Sequence, residues 1–282
     1  MEITEYVRDQ LAKYQGISFP VKSSILRRLF IKKLHWKKMH PNPDDPFTNP
    51  DVGPSERIIS DYKNKLLKNN SELEPIVLEK MHPDGYLIMN GHHRWAAAMM
   101  LDIKRIPVRI VNLTHEDDIK RMLRNAKHDK RVAIDLDEVI FTADSDGSYE
   151  DSLPFPFSIT FKERIRSGIP ALFNYLKKNG YDIWVYSAND YSFDHIHRLF
   201  KLYHVSVDGV VTGMHRLSKG KEANPIQVLL TSKYKYTLNI DNNSVLKIYN
   251  QTGSFIEKEI HTEDSNWSAQ VMAIVGELHE EK

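Results

Sequence analysis

The chain has 282 residues, and its 39 lysines and arginines against 38 aspartates and glutamates give a formal net charge of +1. It contains no cysteine, which excludes disulfides, thiolate catalysis and cysteine-based zinc sites. It shows neither a run of ~20 apolar residues nor a cationic start followed by an apolar stretch, so we expect a cytoplasmic protein without a membrane partner.

The charge is distributed unevenly along the chain. At about 150 residues per domain, the length predicts two domains, and one large α/β domain is the alternative. Residues 1–130 hold 23 basic and 17 acidic side chains, a net charge of +6, whereas the remaining residues hold 16 and 21, a net charge of −5. A basic half joined to an acidic half favours two domains with different tasks. We place the boundary in the charged stretch 127–131, which predicts domains over residues 1–128 and 129–282.

The first half has the pattern of a small α+β domain. It predicts two short helices within the first thirty residues and a strand over residues 34–36. Five prolines between positions 41 and 54 exclude regular structure there and predict a stiff, extended loop. Ser55 is a suitable N-cap for a helix that follows. The later elements are strand 75–78, a hairpin turn at 84–85, strand 86–89, helix 92–101, strand 108–111 and a capped helix that starts at Thr114.

The second half alternates strands with helices. This alternation predicts an α/β domain with a parallel, Rossmann-like sheet. Ligands of such sheets bind at the carboxyl ends of the strands. The predicted elements are strand 132–136, helix 165–179, strand 181–187, helix 191–202, helix 223–232, strand 235–241 and a C-terminal helix over 264–280.

Two aspartates, Asp135 and Asp137, end the first strand of this half. Strand geometry places them on a common side if the strand continues, while a loop there splays them. Such a pair suits phosphoryl transfer, because one carboxylate can attack phosphorus while the other exchanges a proton with the leaving oxygen. A divalent cation must then neutralise the gathered negative charge, and Mg²⁺ favours carboxylate oxygens. The alternative is a solvated, acidic turn without catalytic function.

Later strand ends and a basic segment supply further groups suited to this chemistry. Ser187 follows a strand and can donate a hydrogen bond to a phosphate oxygen, and Asp241 follows another strand and can complete a metal site. Lys219 and Lys221 precede a helix and can neutralise the charge of an intermediate. The four features occur in the order acidic pair, hydroxyl, lysine and acid.

This order resembles the haloacid dehalogenase-like (HAD) superfamily of phosphatases over roughly residues 130–250. The resemblance implies that Asp135 is the nucleophile, that Asp137 is the general acid/base and that Ser187 binds the phosphoryl group. It also implies that Lys221 or Lys219 stabilises the phosphoryl group. Mg²⁺ would be bound by Asp135, Asp241 and the carbonyl of Asp137. One departure concerns the position after Asp241, where the family often has a second acid and this chain has Asn242 and Asn243.

The intervals between these motifs limit the size of any cap domain. About fifty residues separate Asp135 from Ser187, and about thirty separate Ser187 from the lysines. Neither interval holds a large cap in addition to the core helices, so the loop 142–161 forms a small flap at most. An open site suits a bulky phosphorylated substrate. Alternatively, the first domain or a neighbouring subunit of a homo-oligomer covers the site.

A second motif lies in the first half, where Asn90, Gly91, His92, His93 and Arg94 join a strand to a helix. A helix N-terminus offers N–H groups and a favourable field to anions. Glycine allows close approach, and arginine can form two hydrogen bonds to phosphate. The alternative is that the histidines cap the helix or lie on its exposed face.

Four short segments around this motif resemble the ParB/sulfiredoxin-like domain over roughly residues 30–112. They are Pro75-Ile76-Val77-Leu78, Asp84-Gly85-Tyr86, Asn90-Gly91-His92-His93-Arg94 and Ile106-Pro107-Val108. The resemblance implies that the turn holds nucleotide phosphates, from ATP, ADP or CTP. The missing cysteine excludes sulfiredoxin chemistry, and the lack of a following helix-turn-helix pattern disfavours DNA partition. Kinase members commonly have aspartate where this chain has Asn90, and they take a catalytic base from the preceding loop, where Asp44, Asp45, Asp51 and Glu56 are candidates.

We therefore expect a Mg²⁺-dependent phosphatase coupled to a nucleotide-binding module. One alternative is a bifunctional protein whose first domain transfers phosphate from ATP or ADP to a small hydroxyl compound. Another is a nucleic-acid end-processing phosphatase or a nucleotide-switched DNA-binding protein. A block of basic residues favours this alternative if the block attracts a polyanion. This basic block consists of Arg27, Arg28, Lys32, Lys33, Lys37 and Lys38. The alternative role of the block is a solvated face.

Overall fold

The computed structural model describes residues 2–14, 19–68, 73–144, 146–213, 225–261 and 266–280. Its internal contacts divide the chain into two compact units, Met1–Asn112 and Leu113–Lys282. The division lies sixteen residues before the boundary that charge predicts. The difference has a physical cause, because the helix Glu116–Asn125 buries Ile119 in an apolar cluster with Trp184 and Leu230 of the second unit.

The first unit is an α+β unit built on a mixed sheet. The sheet has the strand order β2-β6-β4-β5-β3, and β1 pairs with the end of β4. The helices are α1 Ile3–Tyr14, α2 Ile25–Phe30, α3 Glu56–Leu67 and α4 His92–Met100, and the strands are β1 Phe19–Pro20, β2 Lys33–Leu34, β3 Met39–His40, β4 Ile76–His82, β5 Tyr86–Asn90 and β6 Ile106–Val111. The helix α4 buries Trp95 and three successive alanines in the apolar core of this unit.

The turns of the first unit agree with the sequence in two places. Gly85 joins β4 to β5 with a φ of +88°, as a hairpin requires, and a Cβ there would meet the ring of His40. The hydroxyl of Ser55 accepts a hydrogen bond from the N–H of Ile58 and caps α3.

Two other predictions for this unit are wrong. The strand expected at 34–36 ends at Leu34, because the ring of His35 caps a 3₁₀ turn over Trp36–Lys38. The proline-rich loop also contains regular structure, a 3₁₀ turn over Pro46–Thr48. Proline is tolerated at the start of a helical turn, where its missing N–H is not needed.

The second unit contains the predicted parallel sheet, in the strand order β12-β11-β10-β7-β8-β9. The strands β10, β7, β8 and β9 are parallel, and β11 and β12 continue the sheet as an antiparallel hairpin that the sequence analysis did not predict. The helices are α5 Glu116–Asn125, α6 Phe157–Thr160, α7 Ile169–Lys178, α8 Phe193–Leu202, α9 Pro225–Lys233 and α10 Trp267–Glu280, and the strands are β7 Lys130–Asp135, β8 Tyr181–Tyr186, β9 Gly209–Val211, β10 Tyr236–Ile240, β11 Ser244–Tyr249 and β12 Phe255–Glu259. None of the helices in the described segments is long and apolar enough to cross a membrane.

The central strand β7 separates two differently packed faces of this sheet. Val132 and Ile134 point into the main core, which α7 and α10 cover with residues such as Phe173 and Val271. Arg131 and Ala133 lie on the opposite face, because side chains alternate along a strand. Between β7 and α7, the described residues hold a helical turn over Leu136–Ile140 and the short α6. The predicted flap, residues 142–161, lies within this segment.

Gly209 permits the close packing of β9 against β8, and its replacement by alanine is expected to destabilise the protein by about 1–3 kcal/mol. An added Cβ would lie 2.1 Å from the indole of Trp184, a contact that the buried ring must move to relieve. Urea unfolding of Gly209→Ala measures the loss. Gly276→Ala in α10 is the matched control, because its Cβ would meet only the end of the Tyr175 side chain at 3.2 Å. Equal unfolding midpoints for the two variants would contradict this account.

Candidate functional site

The carboxyl end of β7 is built around the side chain of Asp135. Its Oδ1 atom accepts hydrogen bonds of 2.7 Å from the N–H groups of both Asp137 and Glu138. Asp135 thereby caps the helical turn Leu136–Ile140, and the strand ends there. The orientation of Asp137 is consequently set by this turn, not by the two-residue period of a continuing strand.

The structure brings Asp137 and Ser187 together from neighbouring strand ends. The hydroxyl of Ser187 donates a hydrogen bond of 2.5 Å to Oδ2 of Asp137 and accepts one of 2.9 Å from the N–H of Asn189. Ser187 is fully buried, and its own N–H donates to the carbonyl of Val211. The hydroxyl is therefore fixed in position directly after β8. We call Asp135, Asp137, Ser187 and Asp241 the acidic edge.

The acidic edge concentrates negative charge around Asp135. Burial raises the pKa of Asp135, and the nearby carboxylates of Asp137 and Asp241 raise it further. The two N–H groups that bond to Asp135 act in the opposite direction. Asp241, which follows β10, is thus close enough to influence Asp135 across the sheet. A cation at this edge would relieve the repulsion.

The donor groups of the acidic edge fit Mg²⁺, which binds oxygen ligands and keeps several waters. Asp135 and Asp241 supply carboxylates, and the carbonyl of Asp137 lies at the same turn, where it accepts a hydrogen bond of 3.1 Å from the hydroxyl of Thr142. In the described segments, no three His, Cys, Asp or Glu side chains form a group that could hold a metal ion. A cation here would therefore depend on backbone and water oxygens as well. Lys219 and Lys221 lie outside the described residues.

Asn242 has a role at this edge that the sequence analysis missed. Its amide nitrogen donates a hydrogen bond of 2.8 Å to the carbonyl of Glu138, and its amide oxygen accepts one of 2.8 Å from Arg166. Its backbone N–H also donates to the carboxylate of Asp241 at 2.7 Å. Asn242 therefore ties the turn after β7 to the loop after β10. The sequence showed this position only as a departure from a family pattern.

The second candidate site is the turn at residues 91–94. Gly91 has a φ of +102°, and a Cβ there would lie 3.0 Å from the guanidinium of Arg94. The Nη1 atom of Arg94 donates to the carbonyls of Glu74 at 2.5 Å and Pro75 at 3.2 Å, and Nη2 donates to Asn90 at 3.2 Å. Arg94 is buried in this conformation and holds the chain before β4. It does not extend into solvent as an exposed phosphate ligand.

The two histidines of the turn hold the proline-rich loop. The Nε2 atom of His92 accepts the N–H of Asn42 at 3.1 Å, and that of His93 accepts the N–H of Ser55 at 3.1 Å. Both rings also contact Phe47 of the same loop. This structural role differs from both the phosphate-binding and the helix-capping roles considered from the sequence.

The structure separates the four acids proposed as a catalytic base. Asp45 lies 3.5 Å from Nδ1 of His92 and caps the 3₁₀ turn of the loop. Asp44, Asp51 and Glu56 are exposed. Asp45 is thus the acid that the fold places against the turn at 91–94.

The two units together make a mixed α/β protein, and comparison with known proteins defines the first unit further. The model of the ParB N-terminal domain family matches residues 27–126. The chain therefore contains a ParB-like N-terminal domain, as the resemblance over roughly residues 30–112 predicted. The family match also covers α5, which packs with the second unit.

Two related proteins are similar in sequence to part of the chain. A nucleoid occlusion protein of Listeria monocytogenes is 31% identical over 87 residues, which are 31% of this chain and 29% of that protein. An ATP-dependent L-serine kinase of Desulfurococcus mucosus is 28% identical over 108 residues, which are 34% of this chain and 41% of the kinase. The chain thus spans less than half the length of either relative.

A solved structure also matches part of the chain. It is the C-terminally truncated chromosome-partitioning protein ParB of Caulobacter crescentus, complexed with CTP-gamma-S. The match has 24% sequence identity and a TM-score of 0.25, and it covers 35% of this chain and 55% of the ParB chain.

His93 is expected to make the stability of the proline-rich loop depend on pH. Burial lowers the pKa of His93 below its ordinary value of 6.5, with a smaller opposing effect from Asp45. The unfolded chain therefore takes up a proton first, so the stabilisation is full above pH 6.5 and is lost as the pH falls towards the folded pKa. Hydrogen exchange at the Ser55 N–H, measured from pH 7.5 downwards, should show increasing loop opening. His93→Gln retains an acceptor that does not titrate, and an unchanged pH profile in this variant would refute the assignment.

Proposed function

We propose that the second unit is a HAD-like phosphohydrolase that hydrolyses phosphomonoesters at the acidic edge. The hydrogen bond from Ser187 to Asp137, formed directly beside Asp135, is the observation that carries this proposal. In this proposal Asp135 is the nucleophile, Asp137 carries the proton and Ser187 is the hydroxyl donor. The three lie at the carboxyl ends of adjacent parallel strands, where such sheets bind ligands. The order β10-β7-β8, with Asp241, Asp135 and Ser187 after the respective strands, supports the same proposal.

In this proposal each side chain takes part in a distinct step. Two N–H groups hold Oδ1 of Asp135, which leaves Oδ2 to attack phosphorus. As the bond from phosphorus to the ester oxygen breaks, Asp137 gives its proton to the leaving oxygen. Asp137 then accepts a proton from water, the water oxygen attacks the phosphoryl group on Asp135, and inorganic phosphate leaves with the Asp135 carboxylate restored.

The remaining groups stabilise charge during these steps. Ser187 is positioned to transfer its hydrogen bond from Asp137 to a phosphoryl oxygen when substrate binds. Asp135, Asp241 and the Asp137 carbonyl would hold Mg²⁺, which when bound neutralises the negative charge of the phosphoryl group. In this proposal Lys221 or Lys219 contributes a further positive charge.

Asp135→Asn is expected to reduce Mg²⁺-dependent hydrolysis of p-nitrophenyl phosphate by about a thousandfold or more, because the amide is a poor nucleophile. Ser187→Ala should lose about a hundredfold, the usual effect of removing one donor to a developing charge. Asp151→Asn, an exposed acid of the flap, is the matched control. Because the raised pKa of Asp135 makes its charged form unfavourable in the fold, Asp135→Asn should be at least as stable as wild type at pH 7.

The assay separates loss of chemistry from loss of folding. Full activity in a stably folded Asp135→Asn would refute the nucleophile, and full activity with Mg²⁺ removed by chelation would refute the metal requirement. A screen of phosphorylated metabolites, nucleotides and phosphorylated oligonucleotide ends on the wild type then identifies the substrate class.

A second candidate function concerns the ParB-like unit, as a nucleotide-switched nucleic-acid binder. The family match and the Listeria relative favour it. The basic block supports it as well, since Arg27, Lys32, Lys33, Lys37 and Lys38 are exposed. Nucleotide phosphates would bind at the N-terminus of α4, where Gly91 is the N-cap residue. The position of Asp45 and the serine kinase relative favour a kinase instead.

Charge reversal of two lysines in the basic block tests the nucleic-acid function. Lys32→Glu together with Lys33→Glu is expected to weaken binding of double-stranded oligonucleotides by about tenfold or more, and to make the affinity less dependent on salt. Lys68→Glu, exposed after α3, is the control. The binding should change when CTP or ATP is added. Salt-insensitive or undetectable binding would refute DNA recognition, and steady ADP formation from ATP with serine would establish the kinase.

A further inference from the structure

The face of the second sheet that carries Arg131 and Ala133 contains a cleft of about 440 Å³. Its volume lies in the usual range of small-molecule sites. The chain passes from β10 directly into the β11–β12 hairpin, without a crossover helix that would cover this part of the sheet. The helix α9 instead packs through Leu230 on the part of the face near Trp184. The cleft is thus a consequence of the strand connections.

Arg131 is a buried cation that lines this cleft and has no anionic partner in it. It is 4% exposed, and its Nε and Nη1 atoms donate to the hydroxyls of Thr237 at 3.2 Å and Tyr186 at 2.8 Å. Its guanidinium also lies 5.7 Å from the centre of the Tyr234 ring. Among the described residues, none forms an ion pair with Arg131.

Among the described residues, no anionic group around Arg131 forms an ion pair with its guanidinium. Burial raises the pKa of Tyr186 and that of Tyr234, so both hydroxyls stay neutral. Asp182 pairs in register with Arg131, but its carboxylate accepts hydrogen bonds from the N–H of His128 and the hydroxyl of Tyr234, and it contacts the His128 ring at 2.8 Å. A charge inside a protein that lacks an ion-pair partner is strongly unfavourable, because burial removes its hydration. The position of Arg131 therefore favours an anion from outside the chain.

We propose that this cleft binds a small molecule through an oxyanion group, a phosphate or a carboxylate, placed on Arg131. Thr237, Asn239 and Asn250 line the cleft beside it and supply hydroxyl and amide groups for the rest of the ligand. Arg131 precedes Asp135 by four residues on the same strand face, which separates their Cα atoms by about 13 Å. The cleft is consequently distinct from the acidic edge, and the proposal does not depend on hydrolysis there.

The nitrogen and proton signals of the Arg131 Nε–H group report anion binding directly. We expect inorganic phosphate or acetate to move these signals in a saturable manner, and the anion with the stronger effect identifies the class of oxyanion. The same titration in Ser187→Ala, which impairs the acidic edge, should give the same result. No movement with either anion, or movement that disappears in Ser187→Ala, would overturn the proposal.

Two variants with matched controls separate a ligand site from a structural role. Ala133→Leu fills the cleft and retains Arg131, so it should weaken anion binding by about tenfold or more. Arg131→Gln should lose the thermal stabilisation by phosphate, while in buffer without phosphate or carboxylate its unfolding midpoint should equal or exceed that of wild type. A large destabilisation of Arg131→Gln in that buffer would assign Arg131 to the fold and reject the proposal. Lys235→Gln removes an exposed cation that pairs with Asp129, and it should retain the full response to phosphate.

Discussion

The second unit depends on one constraint, the alternation of side chains along the central strand β7. Parallel neighbours on both sides satisfy its backbone, so its side chains alone decide what each face of the sheet does. Val132 and Ile134 on one face anchor the main core. Arg131 and Ala133 on the other face line the cleft. The same strand ends at Asp135, whose carboxylate stops the extended backbone by capping the next turn.

The first unit has a different constraint, which is the attachment of its proline-rich loop. A loop with five prolines has few backbone N–H groups that can bond to a sheet. His92 and His93 supply acceptors for two of the available N–H groups, and Phe47 fills the space between the rings. The histidines of the turn are consequently part of the loop's support. The nucleotide site that we propose for the ParB-like unit would use Gly91 and the N-terminus of the helix that follows it.

Local signals account for the features that the sequence predicts well. An apolar run before Asp135 and the Asp84–Gly85 pair each determine a strand end or a turn within a few residues. Contacts between residues far apart in the sequence cannot be predicted from local signals. Asn242 bonds to Glu138 across 104 positions, and Arg131 bonds to Thr237 across 106. The division of the internal contacts differs from the boundary that charge predicts for the same reason, because the apolar face of α5 acquires its partner only when the second sheet forms.

Charges of opposite sign lie on β7 without forming an ion pair with each other. Arg131 has neutral hydroxyl partners, whereas burial and, to a smaller extent, the carboxylates of Asp137 and Asp241 raise the pKa of Asp135. A chain selected for stability alone would pair these charges or replace them with apolar groups, which often costs nothing or stabilises. Strand geometry keeps them about 13 Å apart, too far for an ion pair. The separation leaves a cation in the cleft and carboxylates at the acidic edge of the same strand, and the ligand that we propose for each place has the opposite sign.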